Sequence, residues 1–161
     1  MLIEAMISKK YFGRARELLD KVQFEGENRH LKEVLLGDIF LAEGDRLKAE
    51  EIWGTVPEDD WLGQYETGER FNRLGNYEKA LECFRLAYDA QPAPHRMDML
   101  YSLAFLYKKL GRYAEAKQEW ELIAETLGAE YGMTEEDNDM QWPRREIAQL
   151  ESLLKEQKPL A

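Results

Sequence analysis

Gly44, Gly75 and Gly111 set the frame of this chain. Each is followed five residues on by an alanine (Ala49, Ala80, Ala116) and nine residues on by a large aromatic (Trp53, Phe84, Trp120). Upstream at constant offset stand Phe40, Phe71 and Tyr107, and before them Gly37, Gly68 and Ala104. The copies lie 31 and then 36 residues apart, and five aligned columns in three copies mean that the chain is built by repetition of one unit. Stepping back 34 residues from Phe40, Ala49 and Trp53 reaches Met6, Ala15 and Leu19, with Lys10 at the glycine position. This earlier copy is weaker and has a short first helix, as an atypical terminal repeat would.

Within each copy two amphipathic stretches flank the glycine, with apolar residues recurring at three- and four-residue spacing, which predicts helix, turn, helix. The glycine supplies the positive φ that closes the first helix. Small residues (Gly68 with Ala80, Ala104 with Ala116) mark where two helices cross most closely, and Phe71, Phe84, Tyr107 and Trp120 fill the space beside the crossing. One such pair cannot bury its apolar face alone, so neighbouring pairs must stack.

The chain resembles a tetratricopeptide repeat protein. The stretch from Gly68 to Pro92 matches the family pattern at Gly68, Phe71, Gly75, Tyr77, Ala80, Phe84, Ala87 and Pro92. The next copy matches at Leu103, Ala104, Tyr107, Gly111, Tyr113, Ala116 and Trp120, with Ile123 and Gly128 where the family has Ala and Pro. The preceding copy matches at Leu36, Gly37, Phe40, Gly44, Ala49 and Trp53, with Arg46 in the Tyr column. Its shorter step to the next copy predicts a clipped second helix ending near Pro57. The resemblance covers residues 1–130 and implies an all-α fold: helix-turn-helix repeats stacked in a right-handed superhelix. The expected units are a partial repeat at 1–29, repeats at 30–60, 61–96 and 97–130, and an acidic loop with a C-terminal capping helix at 131–161. That helix is predicted over Gln141–Glu156, with Pro143 in its first turn, Ile147, Leu150, Leu153 and Leu154 as its apolar stripe, and Arg144, Arg145, Lys155 and Lys158 on its outer face.

The net charge of −10 argues against nucleic acid, which needs Lys and Arg to neutralise phosphate. The charge is uneven: residues 1–60 carry −5, residues 61–112 carry +2 and residues 113–161 carry −7. No apolar run approaches a membrane span and the start lacks a signal-peptide pattern, so a cytoplasmic protein without membrane contact is expected. The one cysteine, Cys83, has no partner for a disulfide or a zinc motif and reads as a small buried residue.

No residue pattern points to catalysis, a metal or a cofactor. His30 and His95 lack companions at ligand spacing. A calcium loop counted from Asp137 would need Gly at position 142 and Glu at position 148, which are Trp142 and Ala148. Gly-rich phosphate loops and nucleophile elbows are missing. The chain is therefore expected not to be an enzyme.

In the family the first helix of each pair lines an inner, concave face that takes peptides. Helical period puts Tyr65, Glu69 and Asn72 on one stripe with Arg73 beside it, with Tyr101, Phe105, Lys108 and Lys109 at the equivalent places one copy later. One copy earlier the places are held by Val34, Asp38, Leu41 and Ala42. The candidate peptide-binding residues are thus Val34, Asp38, Tyr65, Glu69, Asn72, Arg73, Tyr101, Phe105, Lys108 and Lys109. Aromatics beside cations in the only basic segment suit a protein segment carrying acidic and apolar residues. The competing reading is that these aromatics pack against the next helix pair and the lysines are merely solvated. Family members that clamp a chaperone's C-terminal carboxylate use a Lys, two Asn, a Lys and an Arg, at positions that here read Val34, Asp38, Glu66, Asp98 and Ser102, so that mode is not expected. The sequence thus supports an adaptor or scaffold. A chaperone or peptide-sensing regulator, and a module that self-associates through its terminal repeats, are the alternatives.

Overall fold

In a computed structural model, which describes residues 1–91 and 96–157, the chain is all helical. The helices are α1 (Leu2–Ser8), α2 (Phe12–Lys21), α3 (Leu31–Ala42), α4 (Arg46–Trp53), α5 (Trp61–Arg73), α6 (Tyr77–Ala90), α7 (Arg96–Lys109), α8 (Tyr113–Tyr131) and α9 (Asn138–Gln157), with one 3-10 turn at Gly26–Asn28. They pair in order, α1 with α2, α3 with α4, α5 with α6 and α7 with α8, and α9 lies against α8.

The turn inside each pair is the same device four times. The backbone is left-handed at Lys10, Gly44, Gly75 and Gly111, with φ of 62°, 93°, 76° and 73°. The next amide then donates back across the turn to the carbonyl five residues earlier: Tyr11 to Met6, Asp45 to Phe40, Asn76 to Phe71 and Arg112 to Tyr107, at 2.8–2.9 Å. This closes the last carbonyls of the first helix. The weak first copy therefore folds like the others although Lys10 must hold a conformation that costs an L-residue about 1 kcal/mol. The second helices start on side-chain caps where the sequence supplies them, as Asp45 accepts from the Lys48 amide at 3.0 Å and Asn76 from the Lys79 amide at 3.4 Å.

The column residues meet as their sizes require. The Trp53 indole lies directly over Gly37, donates to the Val34 carbonyl at 3.0 Å and meets Phe71 edge-on at 5.6 Å. Phe84 covers Gly68 in the same way. Two apolar clusters result. A small one joins Ile3, Ala15, Leu19, Leu35 and Ile39, and a large one runs from Ala49 and Trp53 through Phe84 and Trp120 to Leu150.

The sequence-based boundaries need three corrections. α4 stops at Trp53, short of Pro57, because Gln64 reaches back and donates to the Val56 and Pro57 carbonyls at 3.0 and 3.1 Å, fixing the link as a turn. α8 continues through Gly128 to Tyr131 and ends at Gly132 with φ 67°, so the acidic loop is shorter than expected. α9 begins at Asn138, which puts Pro143 in its second turn and not its first. Thr134 and Asp137 build the entry, the Asp137 carboxylate accepting from the Thr134 amide at 2.7 Å. His95, Pro92 and Lys158 lie outside the described residues.

Candidate functional site

The first helices of the pairs, α1, α3, α5 and α7, share one side of the stack, and two depressions lie along it. A groove of about 330 Å³ runs between α1, α3 and α5, with Ile7, Leu41, Ala42 and Leu74 as its apolar walls and Glu4, Ser8, Asp38, Arg70 and Arg73 as its polar ones. A smaller one of about 220 Å³ follows between α5 and α7, lined by Glu69, Asn72, Ser102, Phe105, Leu106 and Lys109.

Between them the ten candidate residues divide into three groups. Asp38, Glu69, Asn72, Arg73, Phe105 and Lys109 line these depressions. Arg73 is exposed and makes no ion pair among the described residues. The Lys109 ammonium sits 4.5 Å from the Tyr77 ring centroid, which holds it without neutralising it. Phe105 is 45 % exposed, the most exposed aromatic on this side.

Tyr65, Tyr101 and Lys108 are held by internal partners. Tyr65 leans on Phe84 at 5.6 Å, packing into the stack. Tyr101 stacks on Trp142 of α9 at 5.3 Å and 12°. Trp142 also meets Phe105 at 5.9 Å and Trp120 at 5.2 Å, so one residue outside the repeats gathers the aromatic end of the face into a cluster. The Lys108 ammonium donates to Glu146 at 2.8 Å and to Gln149 at 2.7 Å, which tethers α9 and spends that charge. Val34 is fully buried and is withdrawn from the candidate surface: the carbonyl that receives the Trp53 indole belongs to a residue turned into the core.

Sequence reasoning missed Arg70. It is 7 % exposed, and its guanidinium donates to both Asp38 oxygens, at 2.9 Å from Nη2 and 3.1 Å from Nε, and to the Glu66 carboxylate of its own helix. Burial lifts the Asp38 carboxyl above its ordinary range, and Arg70 pulls the other way. Two carboxylates face one guanidinium, and the exposed Arg73 lies near enough to favour the charged Asp38 carboxylate as well. The Glu66 to Arg70 spacing of four residues was the available signal; the third member, Asp38, comes from 32 residues away. Trp142 had no column to betray it.

Among the described residues no group of three or more His, Cys, Asp or Glu is placed to hold a metal ion, and no helix is long and apolar enough to cross a membrane.

A family model described as tetratricopeptide repeat matches residues 71–94 and 98–121, the end of α5 with α6 and then α7 with the first half of α8. The chain is similar in structure to a Podosopora anserina protein described as a kinesin light chain with nearly identical TPR-like repeats. The TM-score is 0.62 at 18% identity, over 97% of this chain and 85% of that one. A point variant of the same protein matches at TM-score 0.62 and 18% identity, over 97% of this chain and 84% of that one. No curated protein matches the chain. The glycine turns, the alanine and aromatic columns at the helix crossings, the two matched repeats and the shared fold agree: the chain is a stack of tetratricopeptide-like helical repeats.

Proposed function

We propose that the chain is a non-catalytic scaffold or adaptor that binds an extended segment of another protein along the face made by α1, α3, α5 and α7, the concave side of a right-handed superhelix. The family generally mediates protein–protein interaction, and its repeats are typically without catalysis. The observation that carries the reading is the pair of depressions on that face, apolar-walled and edged by two cations, Arg73 and Lys109, that have no ion-pair partner among the described residues. Their chemistry favours a segment with acidic and apolar side chains, the charge guiding encounter and the aromatic end at Phe105 and Trp142 anchoring it.

The test is quantitative affinity capture from a cell extract with the native chain and with an Arg73→Ser/Lys109→Ser variant. Lys108 stays, because it holds α9. A protein captured at least five-fold less by the variant, at unchanged melting temperature, supports the reading; equal capture sinks it. Self-association is a second reading, favoured by Met1, Leu2 and Tyr11, which are 64 %, 61 % and 54 % exposed around the first pair. Light scattering over a concentration series reads it directly.

A further inference from the structure

The eight residues of α4 fall well short of the 14 of α6 and the 19 of α8. Where α4 stops early, a slot of about 210 Å³ opens between α4, the link to α5, the Gln64, Thr67 and Phe71 side of α5, and α6. It lies on the side of the stack made by the second helices, apart from the grooves described above.

Trp53 and Phe71 give the slot aromatic walls, and Cys83 adds a thiol that burial pushes up to about 12, so it is neutral at physiological pH. Thr67 lines the slot at 2 % exposure, and its hydroxyl has no hydrogen-bond partner among the described residues. A buried hydroxyl left without a partner is unfavourable, so a ligand group that bonded to it would gain by satisfying it. At the rim, Glu50 is already matched by Arg46 at 2.8 Å and Lys79 at 3.6 Å. Glu58 and Glu82 are exposed and make no ion pair among the described residues. The Lys79 ammonium lies 5.1 Å from the Phe71 ring centroid, so the wall already accommodates one cation.

Aromatic walls, a lone hydroxyl and two unmatched carboxylates at the mouth fit a group with an apolar stem and a positively charged, hydrogen-bonding head. We infer that this slot receives the side chain of a lysine or arginine presented by a partner protein. A second depression, of about 500 Å³, shares Lys79, Glu82 and Leu86 with the slot and continues over Leu81 to Tyr107. A free small cation would leave that surface bare, whereas the residues flanking a basic side chain in a polypeptide would lie across it. The inference is independent of the peptide groove on the opposite helices, and the partner chemistry is opposite too: basic here, acidic there.

The test is a titration of the full, 15N-labelled chain with acetyl-Leu-Arg-Leu-amide and with its twin carrying citrulline in place of arginine, which keeps the shape and removes the charge. Saturable shifts are expected at the amides of Thr67 and Cys83 and at the Trp53 indole. The citrulline twin, and a Glu58→Gln/Glu82→Gln variant of the chain, should bind at least five-fold more weakly. The Arg73→Ser/Lys109→Ser variant should bind the arginine peptide unchanged. Equal binding of the two peptides, equal binding by the glutamine variant, or shifts confined to the α5 and α7 groove would each overturn the inference.

Discussion

Replacing Gly37 with alanine places a methyl carbon where the Trp53 indole already is, 2.2 Å from Nε1 and 2.5 Å from Cδ1. The indole is 1 % exposed and must slide, which breaks its 3.0 Å hydrogen bond to the Val34 carbonyl. Overpacking a core costs about 1–3 kcal/mol, and a buried donor left without an acceptor about 1–3 kcal/mol. The better helix propensity of alanine returns about 1 kcal/mol. The net expectation is a loss centred near 3 kcal/mol, an order-of-magnitude figure from those three terms. The third copy already displays the outcome: Ala104 stands in the same column, and the buried Trp120 Nε1 has no partner among the described residues. Gly68→Ala is the control, since its methyl would meet Phe84 at 3.0–3.1 Å with no hydrogen bond to lose, for a net change within about 1 kcal/mol. Urea denaturation followed by tryptophan fluorescence measures both. A Gly37→Ala chain no less stable than Gly68→Ala would refute the reasoning.

Lys10→Gly relieves the only described non-glycine residue with positive φ and should stabilise the chain by about 0.5–1 kcal/mol, read as a higher urea midpoint. Glu119 bears on pH dependence. Burial, against the pull of Arg85, raises its pKa above the ordinary 4.5, so the folded chain holds that proton more tightly than the unfolded one. This group's contribution therefore falls as pH rises from about 4.5 through the raised value. Glu119→Gln should remove that fall, and identical pH slopes for variant and native chain between pH 4.5 and 7 would contradict it. Trp142→Ala removes ring contacts to Tyr101, Phe105 and Trp120 and should cost about 2 kcal/mol, with faster amide exchange in α9. A variant with unchanged α9 exchange would show that Lys108, Glu146 and the aliphatic stripe suffice.

The hairpins were legible because each column carries its own physical demand. A left-handed turn wants glycine, a close crossing wants a small residue, and the space beside it wants a ring; spacing alone reports all three. Lys10 shows the limit, since the turn persists where its residue preference is violated and only the surrounding helices enforce it. Helix ends were less legible: the stop of α4 is fixed by Gln64 from the following helix, a contact with no local signal. On the candidate site, helical period placed Arg73, Asn72, Phe105 and Lys109 on one side, but it could not tell a surface residue from one whose partner comes from elsewhere. Trp142 and Glu146 reach back from α9 to take Tyr101 and Lys108, and Asp38 finds Arg70 one repeat away. Such pairings depend on how repeats are stacked, and no single repeat encodes them.

The division of the apolar interior at α3 carries a kinetic consequence. Leu35 and Ile39 belong to the small cluster with α1 and α2, while Phe40 and Leu41 lean on the large one. The first hairpin can therefore peel away while the rings from Trp53 to Trp120 stay dry, and a chain of nearest-neighbour units loses its ends before its middle. Limited proteolysis under native conditions would then cut first between α2 and α3, releasing a fragment that ends near the 3-10 turn and leaving a resistant remainder that begins at α3.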